Sequence, residues 1–269
     1  MKINNMTWKR KMMTGALATS LLVLPLSGCG QVTSDSKADA SEAPKTEEMQ
    51  QETGHNFKNI NYSAERYLSY IYETKSTEIK DLLGIDREQF EAQQIDFFAD
   101  RAGSVTPIDY PLVIQYENFY EVYQPEQIKT EYATAMVAYF EQIQGDYSIE
   151  KVEKTSNGAE VTVKTKGIAL NALASQANEY MDSLIGFDQN MALSKYPSDE
   201  VQKANAVLQF WAMGQLYKQG NKAPLLDEPV EYTLFFEKDV DGNYKPSDDA
   251  MKDVYSGSSK STYEDGKEI

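Results

Sequence analysis

The sequence predicts an α+β domain in which helices pack on one face of a curved antiparallel sheet made of two hairpins. Two stretches alternate apolar and polar residues beside a turn signal, AEVTVKTKG after Ser156-Asn157-Gly158 and VEYTLFFE before Asp239-Val240-Asp241-Gly242. Longer stretches repeat apolar residues three and four apart, the spacing of a helix with one buried face. Residues 30 to 56 do neither. They hold no Phe, Tyr, Trp, Leu or Ile, so the folded part begins near Phe57.

Residues 1–28 read as a secretory leader. Lys2, Lys9, Arg10 and Lys11 form a positive segment without acids, and Met12 to Leu26 form an apolar segment that ends at small residues. Pro25, Ser27 and Gly28 interrupt that run after roughly 15 residues, short of the about 20 that a membrane-spanning helix needs. Its end, Leu26-Ser27-Gly28-Cys29, resembles the lipobox of bacterial lipoproteins. The resemblance implies cleavage before Cys29, a diacylglyceryl group on its thiol, and a protein held through that lipid at the outer leaflet of the cell membrane, facing the extracytoplasmic side. Cys29 is also the only cysteine, and lipidation removes what is otherwise a reactive free thiol in an exported chain. Two or more acyl chains give stable attachment where one is marginal.

From Cys29 to Asn56 the chain reads as a disordered tether, whose r.m.s. span is roughly 30 Å. From Phe57 to Tyr255 it is rich in aromatic and aliphatic residues, forming one domain or two lobes, a helical lobe over 57–106 and an α+β lobe over 107–255. Tyr67, Leu68, Ile71, Ile79, Leu82 and Leu83 lie near helical spacing, with Ser63 or Asn61 as N-cap and Gly84 as the stop. A second helix over 86–102 carries Phe90, Ile95, Phe97 and Phe98. Residues 107–120 alternate with period two, and Pro111 confines that extended segment to an edge or a connection. Pro125 sits in a helical first turn, followed by the stripe Ile128, Tyr132, Ala135, Met136, Tyr139 and Ile143.

In the first hairpin, Ala159, Val161, Val163 and Thr165 face the core, and an Asn157-Gly158 turn sets Lys154 opposite Val161. Helices follow over 168–185, through Leu173, Ala177, Tyr180, Met181 and Leu184, and over 199–218. The latter is apolar on two sides, as a central helix is. The strand Val230, Tyr232, Leu234, Phe236 leads through a turn to Tyr244, and a short helix runs from about Pro246 to Val254. A polar tail spans 256–269.

Composition excludes several chemistries. The formal charge of −16 becomes −20 once the leader's four basic residues are removed, which argues against nucleic acid as a partner. His55, the only histidine, lies in the tether, so the folded part has neither His nor Cys. Ser-His-Asp and Cys-His nucleophiles and the usual His/Cys metal sites are therefore absent from it. No catalytic residue, metal site or cofactor is expected.

Asp239, Asp241 and Asn243 have the spacing of calcium ligands, but an EF-hand loop needs Gly at its sixth position and Glu at its twelfth. Here the glycine is fourth and position twelve is Ala250, so the segment reads as a turn. Asp96/Asp100 and Asp227/Glu228 offer carboxylate pairs for glycosidase-type chemistry, and read instead as solvated faces. Tyr62, Tyr67, Tyr70, Tyr72, Tyr132 and Tyr139 coincide mostly with core stripes, whereas Tyr110, Tyr116, Tyr120 and Tyr123 are candidates for a groove that takes sugar rings or extended peptides.

The order of elements from Ser63 to Tyr255, with VEKTSNGAEVTVKTKGI and VEYTLFFEKDVDGNYKPS as its hairpins, resembles that of uncharacterised lipoproteins of low-GC Gram-positive bacteria. The resemblance implies a Gram-positive host and no particular activity. Cystatin-like and NTF2-like cone folds fit the same description of helices on a curved sheet. The expectation is a non-catalytic surface lipoprotein binding a protein, peptide, glycan or other small ligand in a sheet–helix groove. A carboxylate-dependent enzyme acting on wall glycan is the alternative. A third class is a pheromone precursor, because Leu21 to Gly28 resembles the short apolar peptides that enterococci release from lipoprotein leaders.

Overall fold

The computed structural model describes residues 56–73, 79–105, 111–115, 118–194, 196–198 and 200–260. The leader with its lipobox, Cys29, nearly all of the tether, Tyr110, Tyr116 and residues 261–269 lie outside the described residues.

Helix α1 (Ile60–Tyr72) starts earlier than its periodicity suggests, because Asn59 is the N-cap and its side chain accepts from the N–H groups of Asn61 and Tyr62. Ser63, the expected cap, is buried and donates its hydroxyl to the Phe57 carbonyl at 3.2 Å. After α2 (Ile79–Leu83), Gly84 turns the chain with φ +75°. Asp86 and Gln89 then cap α3 (Arg87–Val105) reciprocally, each side chain accepting the other's backbone N–H at 2.9–3.0 Å.

The extended segment beyond Pro111 is one half of a hairpin, β1 (Leu112–Gln115) paired with β2 (Tyr120–Tyr123). Pro125 opens α4 (Pro125–Phe140), which a 3₁₀ turn continues through Ile143. Strands β3 (Tyr147–Lys154) and β4 (Gly158–Thr165) follow, then a two-residue β5 (Ile168–Ala169), α5 (Leu170–Ser183), α6 (Gln189–Leu193) and α7 (Val201–Lys218). The chain closes with β6 (Val230–Lys238), β7 (Tyr244–Pro246), α8 (Ala250–Gly257) and β8 (Ser259–Lys260). Regular structure thus runs past Ser256, where the polar sequence suggests a tail, because β8 pairs in parallel with β5.

The main sheet has the order β3-β4-β6-β7, two antiparallel hairpins joined through β4 and β6. The α+β class read from the sequence is the class found. One face is apolar: Ala159, Val161 and Val163 of β4 and Leu234 and Phe236 of β6 are fully buried, while Glu160, Glu231, Thr233 and Glu237 on the other face are exposed. Burying each such Val, Leu or Phe stabilises the fold by roughly 1.5–3 kcal/mol.

The first hairpin's register differs from expectation. Lys154 pairs with Ala159 and Val152 with Val161, because the tight turn is centred on Ser156-Asn157 and closed by the Thr155 N–H on the Gly158 carbonyl. A bulge between Ile149 and Lys151 then shifts the register by one residue. Tyr147, Ile149 and Val152 thereby stand opposite Thr165, Val163 and Val161, although β3 itself does not alternate. Gly158 serves close approach: a Cβ there would meet the Phe236 carbonyl oxygen at 2.1 Å.

The helices continue the same core. Helix α7 lies against α4 and α5, α3 against α4, and α8 against β6. Both apolar sides of α7 are used, with Ala204, Leu208 and Ala212 buried on one and Val207 and Trp211 on the other.

Candidate functional site

Most of the tyrosines belong to the core. Tyr67, Tyr70, Tyr72 and Tyr139 are buried, and Tyr62, Tyr123 and Tyr132 are half-buried. Of the four groove candidates, Tyr110 and Tyr116 lie outside the described residues. The other two share β2 but face opposite ways, being three residues apart on a strand. Tyr123 stands opposite Leu112 and turns its ring edge to Trp211 at 5.5 Å, whereas Tyr120 stands opposite Gln115 and is 69% exposed. They do not line one groove.

Three of the exposed large apolar residues among the described ones nevertheless belong to the β1–β2 hairpin. Phe119 (58% exposed), Tyr120 and Val122 (45%) project an apolar cluster from one short strand and the residue before it. Val113 and Gln115 lie across from Val122 and Tyr120 on the same face. Exposed large apolar groups gathered in one place are the informative exception on a soluble surface.

The opposite face anchors the hairpin. Leu112 and Ile114 are fully buried, α6 packs on β1, and Tyr123 sits in an aromatic group in which Tyr180 and Phe187 also flank Trp211, at 5.9 and 6.3 Å. Burial, followed by the nearby Glu121 carboxylate, pushes the Tyr180 phenol up. Among the described strands β2 pairs only with β1. The sequence signal for this site is the run FYEVY behind Asn118, in which Phe119 and Val122 are easily overlooked beside the tyrosines.

Clefts also lie elsewhere among the described residues. One of about 440 Å³ opens between α1 and β3, lined by Glu65, Arg66, Ser69, Glu73, Tyr147 and Ser148. It is a sheet–helix groove, but the tyrosine in it is Tyr147, whose hydroxyl donates to Glu73 at 3.3 Å. Burial and then the Glu73 charge push that phenol up. Glu65 and Glu73 lie eight residues apart along α1 and its C-cap, a rise of roughly 12 Å.

A second cleft of about 400 Å³ is lined by Tyr72, Glu141, Gln142, Gln144 and Lys222. Burial raises the Glu141 carboxyl there, and the Arg87 guanidinium partly opposes the shift. Asp96, Asp100, Asp227 and Glu228 are exposed. Asp239 accepts the N–H groups of Asp241 and Asn243 at 3.0 and 2.8 Å, so its carboxylate closes its own turn, and these bonds hold it below the usual carboxylate range.

Among the described residues, no group of three or more His, Cys, Asp and Glu side chains is arranged to hold a metal ion, and no helix is long and apolar enough to cross a membrane. No protein-family model matches the chain, and no curated protein matches it. Among solved structures it is similar to ycdA, a candidate lipoprotein of Bacillus subtilis, with 11% identity and a TM-score of 0.43. That match covers 74% of this chain and 55% of the ycdA chain, so this chain spans little more than half of that neighbour's length.

Proposed function

We propose that this chain is a surface lipoprotein, tethered to the membrane through a lipid on Cys29, that works without catalysis by binding a partner protein through the β1–β2 hairpin. The observation that carries the binding reading is the exposure of Tyr120 and Val122 on β2 and of Phe119 just before it. Each such side chain contributes roughly 1–3 kcal/mol when a partner covers it. The tether reading rests on Leu26-Ser27-Gly28-Cys29 and on the polar stretch behind it. The absence of His and Cys from 57–269 favours binding over nucleophilic catalysis.

Two experiments test the proposal. Cys29→Ser in the full chain should release the protein from the membrane fraction; retention of the variant there would end the tether reading. A photo-crosslinking residue at Tyr120 on intact cells should yield one discrete adduct that Val122→Lys abolishes and that the same group at Lys245 does not give. Equal labelling from both positions would end the hairpin reading.

A further inference from the structure

We infer that the chain binds a neutral saccharide in a cleft lined by side-chain amides between α5, α6 and α7. The inference does not depend on the hairpin reading. The cleft has a volume of about 330 Å³ and is lined by Asn178, Met181 and Asp182 of α5, Gln189 of α6, and Asn205 and Gln209 of α7. That volume lies within the roughly 300–1,000 Å³ of small-molecule sites. Its lining differs in kind from those of the clefts described above, which mix carboxylates with a cation: Glu65 and Glu73 with Arg66 in one, Glu141 with Lys222 in the other. Here four of the six residues are amides, one is a carboxylate and none is Lys or Arg. The sequence of these helices follows the same trend. Residues 171–219 hold ten Asn and Gln against eight charged residues, where the whole chain holds 30 against 68.

The amides are placed by the helices and by one another. Asn178 and Asp182 lie four apart on α5, and Asn205 and Gln209 four apart on α7, so each helix turns two polar groups to one side. Gln189 opens α6, whose start is fixed by Asp188 accepting the N–H groups of Asn190 and Met191 at 2.9 and 3.2 Å. Two bonds then cross between elements. Gln189 Nε2 donates to Asn205 Oδ1 at 3.1 Å, and Gln209 Nε2 donates to Asn178 Oδ1 at 3.4 Å. Groups held in this way before a ligand arrives lower the ordering cost of binding.

A side-chain amide has two N–H donors and an oxygen with two lone pairs, so each of the four keeps both donor and acceptor capacity after its bond across the cleft. Sugar hydroxyls also donate and accept, and the Asp182 carboxylate adds a further acceptor for them. Other ligand classes fit less well. A phosphate or carboxylate would find no cation and would face Asp182. An apolar molecule would find only Met181 among the lining residues to cover it. A calcium ion takes about six to eight oxygens, largely from carboxylates, and one carboxylate is present.

The test uses the full chain in a detergent without a sugar headgroup. Cellotetraose, maltotetraose, mannotetraose and chitotetraose are the probes, read by saturation-transfer NMR and by calorimetry. At least one should bind with a Kd below about 5 mM. Gln209→Glu and Asn205→Asp keep the side-chain size and exchange the amide's donors for a carboxylate, and each should weaken that binding at least about tenfold. Gln209→Ala should do the same, whereas Gln144→Ala in the cleft beside Tyr72 should not. Unchanged Trp211 emission and melting temperature show that the helices stay packed in these variants.

No binding by any probe up to about 10 mM would overturn the inference. An affinity that none of the amide variants changes would put the saccharide elsewhere and overturn it as well. Calcium chloride binding that Asp182→Asn abolishes, with all four probes silent, would make the cleft a cation site and have the same consequence. Val122→Lys should leave saccharide binding intact and Gln209→Glu should leave the Tyr120 crosslink intact, so this inference and the hairpin reading fail separately.

Discussion

Tyr72→Phe tests how the polar groups inside the core are ordered. The hydroxyls of Tyr72 and Tyr232 lie 3.0 Å apart, with Tyr72 fully buried and Tyr232 8% exposed. Ser258 close by donates its hydroxyl to the Val254 carbonyl at 2.5 Å. Either phenol can be the donor in the Tyr72–Tyr232 pair, so removing one hydroxyl leaves the other buried group without this partner. Tyr72→Phe and Tyr232→Phe should each cost about 1–3 kcal/mol. The double variant should cost less than the sum of the two, a coupling of about 1 kcal/mol. Urea unfolding of the three variants, compared at equal m-values, measures all of these. Strict additivity would refute the pairing.

Base should unfold the protein through the same group. Burial pushes the Tyr72 phenol up to about 12, against about 10 in the unfolded chain, so between those pH values the folded state holds a proton that the unfolded state has released. This contribution is whole below about pH 10 and falls as pH rises toward 12, by about 3 kcal/mol in all. Tyrosinate absorbance and far-UV circular dichroism should change together for the buried tyrosines, and ionisation well ahead of unfolding would contradict the burial. Gly158→Ala should destabilise by about 1–3 kcal/mol, since its Cβ would meet Phe236 backbone at 2.1 Å, and Gly158→Asn should be no better. Gly242, by contrast, has φ +87° and a Cβ there would meet only the Lys238 side chain at 3.7 Å, so Gly242→Asn should recover much of what Gly242→Ala loses in thermal unfolding. Tyr123→Ala should cost about 1–2 kcal/mol and red-shift the emission of Trp211, the only tryptophan beyond the leader; unchanged emission would place the hairpin away from α7.

Strands β4 and β6 were legible because each alternates without interruption, so their inward residues could be named from spacing alone. Strand β3 was not, because its bulge places Ile149 and Val152 on the same face three positions apart, a spacing that in a sequence signals a helix. The Asn157-Gly158 pair misled for a related reason. Asn-Gly is the favoured centre of a two-residue turn, but the glycine here is fixed by the approach of β6, and the turn moves back by one residue. Strand β2 escaped notice because an exposed strand has no buried face to betray it, and the parallel pair β5–β8 has too few residues for any period.

Tyrosine content was the weakest guide to the site, and the hydrogen bonds explain why. A tyrosine can serve as core if its hydroxyl finds a partner. Tyr70 accepts the Ile79 N–H at 2.6 Å, Tyr139 donates to the Met213 carbonyl at 3.3 Å, and Tyr255 accepts from Gln94 at 2.5 Å. Each of these bonds ties a helix to an element distant in sequence or to the segment that follows it. A chain rich in Tyr can therefore spend most of them on fixing helix positions within one core. What singles out β2 is that Tyr120 and Val122 are apolar yet exposed, on the opposite face from the Tyr123 ring that packs on Trp211, with Phe119 exposed just before the strand. Among the described strands β2 pairs only with β1, so the inner face of the hairpin is seated on the core while Tyr120 and Val122 stay exposed on the other.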